Sequence, residues 1–184
     1  FLKNSDKKFF SKSKEMQSIF FLLNKIIPAL GIDFNTNSGI EIKFYKVEIG
    51  DDAYKIKINS NNVQVFSKNY GGSFYALITL VQLCYFYLGD LPIGEIEDKP
   101  KFLWRGMHLD CSRQFHSIAI IKKLLLYMSF FKLNRFHWHL TDNEAWRLDI
   151  ESFPNLAKES SYRGYNEIIP PLYGTGYKKS GGYY

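Results

Sequence analysis

Apolar residues along the first third of the chain recur with two different periods. Over residues 11–30, Met16, Ile19, Phe20, Leu23, Ile26 and Ile27 fall three or four apart, the spacing of one helix face. Pro28, lacking an amide proton, is expected to end or kink this helix, and Gly31 to stop it. The period then changes to two. Ile40, Ile42 and Phe44 alternate with Glu41 and Lys43, and Tyr54, Ile56 and Ile58 with Lys55 and Lys57, which predicts half-buried strands. Residues 59–62 (Asn-Ser-Asn-Asn) make a turn, and Val63, Val65 and Phe66 return as the partner strand of a hairpin. Gly71-Gly72 is expected to break the chain before an apolar helix over residues 73–87. Helix, antiparallel strands and helix predict a small α+β layer domain over residues 1–98.

Residues 89–100 are poor in apolar side chains and carry Pro92, Gly94 and Pro100 with the acidic run Glu95, Glu97 and Asp98, which reads as a linker. Beyond it the pattern predicts a strand over 102–110, then a helix capped by Ser117. Ile120, Ile121, Leu124, Leu125, Met128 and Phe131 are its buried side, and a second strand follows over 133–140. A strand, a crossover helix and a strand form a βαβ unit with parallel strands. From Ser152 onward the chain reads as loop, punctuated by Pro154, Gly164, Pro170, Pro171, Gly174, Gly176, Gly181 and Gly182.

Composition narrows the function classes. With 46% hydrophobic and 17% aromatic residues, the 184-residue chain is globular rather than disordered. The net charge of +6 comes from scattered lysines (Lys3, Lys7, Lys8, Lys43, Lys57, Lys122, Lys178), not a basic stripe with interleaved aromatics, so no nucleic-acid partner is expected. Two cysteines, Cys84 and Cys111, without a CxxC partner, are read as packing residues. No apolar run approaches the ~20 residues of a membrane span. The opening FLKNSDKKFF is no signal peptide, and the compartment is not legible.

The chemistry lies in two polar clusters, each directly after one of the two later strands. Side chains at strand ends in βα units are where barrel enzymes build sites. Arg113 stands three residues beyond Asp110, and its planar fork of donors suits carboxylates or vicinal hydroxyls; Asp142, after the second strand, can accept beside it. A donor and an acceptor at one mouth form a sugar clamp, or else an ion pair that fixes the loops. His137 and His139, two apart on a strand, share a face. They have the spacing of a metal pair with Asp142 as a third ligand; the alternative is one packed histidine and one bonded to a carboxylate. With no further ligand in view, no metal and no cofactor is expected.

The runs RGMHLDCSRQF and KLNRFHWHLTDNEAWRLDI with FPNLA closely resemble glycoside hydrolase family 20, the β-N-acetylhexosaminidases. The family's Arg-Gly, Leu-Asp-x-x-Arg, Lys-x-Asn-x-x-His-x-His and Leu-x-Asp-x-x-x-Trp stand here in order. AYKIKINSNNVQVFSKNYGGSFYALITLVQL is similar to its accessory domain, and the closing SGGYY to the segment before its second barrel helix, so the likeness covers residues 54–184. It implies an α+β accessory domain over 1–98, then an incomplete (β/α)8 TIM barrel over 99–184 holding its first two strands. Arg113 would grip ring hydroxyls of a terminal N-acetylhexosamine on an oligosaccharide or glycoconjugate, with Asp142 beside it. Arg105, Asp110, His137 and His139 would form the supporting shell. Asn143 stands where a second aspartate is common, and Glu144 and Ala145 replace more usual residues. The family works by substrate-assisted retaining hydrolysis: the sugar's N-acetyl carbonyl attacks the anomeric carbon while an adjacent Asp-Glu pair orients and protonates. That pair belongs to the fourth strand and is expected beyond Tyr184. A barrel takes typically about 250 residues and only about 85 follow Pro100, so these residues alone are expected to be inactive. The family resemblance implies a periplasmic, extracellular or lysosome-like compartment. Two other readings are a short pseudo-enzyme or carbohydrate-binding module without turnover, and a metal-dependent barrel hydrolase.

Overall fold

The computed structural model describes residues 1–4, 6–26, 28–35, 37–164, 166–167 and 179–184. Ile27, Lys178 and the Pro170, Pro171, Gly174 and Gly176 positions of the expected terminal loop lie outside the described residues, as does the side chain of Ile26. The chain divides into two compact units, Phe1–Leu103 and Trp104–Tyr184.

The first unit runs β1 (Lys8–Phe10), α1 (Gln17–Ile26), β2 (Asp33–Asn35), β3 (Ile40–Lys46), β4 (Tyr54–Ile58), β5 (Asn62–Ser67), α2 (Tyr70–Phe86) and β6 (Gly94–Asp98). Its six strands form one sheet in the order β2-β1-β3-β5-β4-β6. The period-two residues point as expected: Ile42, Ile56, Ile58, Val63 and Val65 are buried on one face, where Ile19, Phe20 and Leu23 of α1 and Ala76, Leu77, Leu80 and Val81 of α2 are also buried. Helix α1 ends at Ile26, and Pro28–Leu30 continues as a 3₁₀ turn. Asn24 ties α1 to β2, its Oδ1 accepting from the Phe34 amide at 2.9 Å.

Three expectations fail here. The sheet is mixed rather than antiparallel: β4 and β5 are the expected hairpin, but β1–β2, β1–β3 and β3–β5 pair in parallel. Alternation fixes which face a strand buries and says nothing of its neighbour. The expected linker holds an edge strand, β6, antiparallel to β4. Its acidic residues face lysines across the ladder, with Lys55–Glu95 at 2.7 Å, Lys55–Glu97 at 3.0 Å and Lys57–Glu95 at 3.2 Å. Charged side chains suit an edge strand, whose outer backbone groups face water.

Gly71-Gly72 does not break the chain but lies in the first turn of α2. Asn69 caps that turn, its Oδ1 accepting from the Gly72 amide at 2.9 Å. Gly72 is required because a Cβ there would run into the Ala53 carbonyl and stand 3.0 Å from Ser67 Cβ. Gly72→Ala should therefore destabilise this unit despite a helix-propensity gain of about 1 kcal/mol. Forcing a methyl against backbone costs about 1–3 kcal/mol. Urea unfolding followed by far-UV circular dichroism checks the direction, and a stabilised variant would refute it.

The second unit contains β7 (Gly106–Asp110), α3 (Ile118–Phe130), β8 (Arg135–His139), β9 (Thr141–Asp142), β10 (Ala145–Trp146), α4 (Pro154–Ser160), β11 (Tyr162–Arg163) and β12 (Ser180–Gly181). The βαβ unit forms as read: Ser117 caps α3, and β7 and β8 pair in parallel with Gly106 opposite Arg135 and Asp110 opposite His139. Among the described residues the sheet is two strands wide and does not close. Of the six residues expected on the buried side of α3, only Ile121 and Met128 are buried; Ile120, Leu125 and Phe131 are exposed. Two strands are too narrow to cover more than one stripe of a helix, and residues seven apart form such a stripe. The expected terminal loop contains a helix, α4, because Pro154 sits at its first turn, where no amide proton is needed.

A candidate carbohydrate site

The loops after β7 and β8 meet through backbone-directed side chains. Asp110, the last residue of β7, accepts through Oδ1 from the amides of Ser112 at 2.9 Å and Arg113 at 3.1 Å. This short-range turn bends the chain back so that the Arg113 guanidinium returns over the strand end. After β8, Thr141 and Asp142 pair antiparallel with Trp146 and Ala145, leaving Asn143-Glu144 as the tip of a tight hairpin. Ser112 Oγ donates to the Ala145 carbonyl at 3.1 Å and ties the two loops together.

Arg113 is the centre of the cluster. Its Nη1 donates to Asp110 Oδ2 at 3.1 Å and to Asp142 Oδ2 at 2.5 Å, and lies 3.3 Å from His139 Nε2. Its Nε stands 3.0 Å from Glu144 Oε2. That last contact is an ion pair off hydrogen-bond alignment, since Glu144 Oε2 is buried and accepts no hydrogen bond among the described residues. His139 Nε2 is 3.0 Å from Asp142 Oδ2. The Arg113 side chain is 41% exposed, so the cluster is not sealed from solvent.

The charges reinforce one another. The Asn143 amide and the Arg113 guanidinium hold the Asp142 carboxyl below its ordinary value, and the hydrogen bond to Asp142 raises Arg113. At Asp110, burial pushes the other way but is outweighed by the Arg113 amide and charge, so this carboxyl is lowered as well. Carboxyls held low keep their charge through neutral and mildly acidic pH. Their stabilising contribution is lost only on acidification through and below the ordinary carboxylate range near about 4.

Four of the six expected residues gather at this end of the sheet: Arg113, Asp142, Asp110 and His139. His137 shares the face of His139 but packs on His108 instead, with ring centroids 4.6 Å apart. Arg105 is not brought there. It precedes β7 at the opposite end of the strand, its Nε donating to the Lys132 carbonyl at 2.7 Å. Five residue-to-residue steps of about 3.3 Å each separate it from Asp110.

Sequence reasoning missed four contributors. His108 sits two residues before Asp110 on β7, a spacing that places both side chains on one face and was available to be read. Glu144 stands in the sequence only as a departure from the family pattern. Arg147 and Arg163 are each 1% exposed. Arg147 donates to the carbonyls of Cys111, Ser161 at 2.6 Å, Gly182 at 3.0 Å and Ser112 at 3.0 Å. It thus fixes the loop between Asp110 and Arg113. Arg163 Nε donates to the Glu144 carbonyl at 3.0 Å and holds the hairpin tip. Burial, and then the neighbouring charge of the other arginine, lowers Arg147. The closing Tyr184 completes the frame: its hydroxyl donates to the His116 carbonyl at 2.5 Å and its ring stacks on Phe115 at 5.2 Å. Cys111 is buried and accepts from Trp138 Nε1 at 3.2 Å, as a packing residue should.

With this geometry in hand, the likeness to known proteins is specific. The sequence profile described as glycosyl hydrolase family 20, catalytic domain, matches residues 102–184. A beta-hexosaminidase of Vibrio furnissii is 37% identical over 139 residues, 74% of this chain and 23% of that protein. One from Porphyromonas gingivalis is 37% identical over 122 residues, 61% of this chain and 16% of that protein. The fold superposes on an exo beta-N-acetylglucosaminidase of Vibrio harveyi, solved in complex with N-acetylglucosamine. Its TM-score is 0.79 at 31% identity, covering 99% of this chain and 29% of that one. A Streptomyces plicatus beta-hexosaminidase variant, in complex with its product GlcNAc, gives 0.71 at 25% identity, covering 100% and 37%. The chain thus spans roughly a sixth to a quarter of these two curated relatives.

Proposed function

Because this chain belongs to glycosyl hydrolase family 20, we propose that it serves a β-N-acetylhexosaminidase that removes terminal N-acetylhexosamine from oligosaccharides or glycoconjugates. In this reading residues 1–98 are the α+β accessory domain and 99–184 open the catalytic barrel with its first two strands. The observation that carries the site is the ring of Asp110, Asp142 and Glu144 around one half-exposed guanidinium, Arg113, at the C-terminal ends of β7 and β8.

A sugar hydroxyl both donates and accepts, so it can insert where a guanidinium and a carboxylate are already paired. Arg113 would donate to ring hydroxyls of the terminal sugar and Asp142 would accept from one of them. Asp110 and His139 hold that pair in register, and Arg147 and Arg163 hold the loops that carry it. Hydrolysis by the substrate-assisted route also requires an adjacent Asp-Glu pair, and no such dipeptide occurs in residues 1–184. The chain therefore supplies sugar grip rather than acid–base chemistry.

The 184-residue chain is expected to bind N-acetylglucosamine weakly, seen as saturation transfer in NMR, without cleaving a chromogenic N-acetylglucosaminide. Turnover that Arg113→Ala abolishes would overturn the expected inactivity. Saturation transfer unchanged in Arg113→Ala would remove the clamp from the proposal.

A further inference from the structure

We propose that His108, His137 and His139 form a binding site for a zinc-type divalent cation. His137 and His139 alone are a pair; the register supplies the third ligand. His108 on β7 lies directly opposite His137 on β8, and His139, two residues further along, projects from the same face. Three imidazoles from two adjacent strands thus converge, with one nitrogen of each within 4.8 Å of the others. The rings meet edge-on, with centroids of His108 4.6 Å from His137 and 5.6 Å from His139.

A tetrahedral zinc with Zn–N near about 2.0–2.1 Å needs its nitrogens about 3.4 Å apart. The widest pair must close by a little over an ångström, a rotation that the exposed His108 and His137 side chains can make. His139 has a carboxylate to hold its ring. His139 Nε2 lies 3.0 Å from Asp142 Oδ2; with its proton on Nε2 the ring offers the Nδ1 lone pair to a metal, and a carboxylate behind a histidine is the usual support of a metal ligand.

The nearest opposing charge is Arg113, 3.3 Å from His139 Nε2, and it is offset by Asp110, Asp142 and Glu144. Arg135 lines the same cavity, of about 510 Å³, as His108 and His137, but its guanidinium lies over the Trp104 ring at 5.5 Å. Three imidazole ligands suit zinc, copper or nickel rather than calcium or magnesium, which take oxygen ligands.

The test does not depend on the sugar reading, because the probe is the metal alone. Zinc chloride is titrated into the 184-residue chain against a chromophoric chelator, and cobalt(II) is used to record the visible spectrum of a tetrahedral site. One cation per chain is expected. His108→Ala and His137→Ala should each weaken binding at least about tenfold. Only four histidines occur in the chain, so His116→Ala, which alters the remaining one, should change nothing. His108→Gln and His137→Gln preserve bulk if an alanine variant does not fold. Absence of binding by the folded chain at sub-millimolar zinc would overturn the proposal, as would binding that survives both substitutions or is lost in His116→Ala.

Discussion

Arg147→Met should unfold the second unit at urea concentrations that leave the first intact. The side chain is 1% exposed and donates to four backbone carbonyls drawn from the loops around residues 111–112, 161 and 182. Hydrogen bonds from a charged donor are worth about 1.5–3 kcal/mol each, and their loss leaves buried acceptors unpaired. Removing the buried cation returns several kcal/mol of desolvation, since a guanidinium taken out of water is costly. The first effect wins because four acceptors are stranded and methionine offers none of them a donor. A net loss of about 3 kcal/mol is a large share of the 5–15 kcal/mol that holds a typical domain together. Arg147→Lys should recover little, since one ammonium cannot reach carbonyls that a planar fork spans.

The measurement separates the units cleanly. All three tryptophans (Trp104, Trp138 and Trp146) belong to the second unit, so their fluorescence follows it alone. A variant midpoint within about 0.5 kcal/mol of the parent would mean that Arg147 is a passive tenant of its site.

Arg113→Ala in the full-length hexosaminidase proposed above should lower kcat/KM about a thousandfold, or about 4 kcal/mol of transition-state binding. Two terms combine. The sugar loses its charged donors, and Asp110, Asp142 and Glu144 are left facing one another without the cation between them. Asp142→Asn separates the terms, because the amide keeps the shape and one acceptor while removing a charge. It should cost less than Arg113→Ala. Arg113→Lys restores the charge without the fork, so a lysine variant close to the parent would show that charge, not geometry, holds the sugar. Near-normal kcat/KM in Arg113→Ala would leave the cluster a loop fastener and nothing more.

The site was more legible than the frame around it. Arg113, Asp110, Asp142, His137 and His139 could be named because each sits within a few residues of an apolar strand whose direction the pattern fixes. Arg105 falls outside the cluster because the strand, expected from residue 102, begins at Gly106, which leaves Arg105 before its first residue. Arg147 was invisible for a different reason. Its partners are carbonyls at positions far apart in sequence, and carbonyls are common to every residue, so no side-chain pattern announces them. Gly72 reads as a breaker in the sequence because its use, letting α2 approach Ala53, exists only once the helix is docked.

By itself the sequence determined the helices α1, α2 and α3, the hairpin β4–β5, the parallel βαβ unit and the meeting of Arg113 with Asp142 at its mouth. All of these depend on local periodicity or on residues close to a strand end. Tertiary structure alone decided the parallel partners of β1, β2 and β3 and the conversion of an acidic linker into β6. It alone decided the third histidine opposite His137 and the buried arginines behind the loops. In each case the deciding contact joins segments distant in sequence, and its energy comes from register, burial or backbone groups that no local pattern encodes.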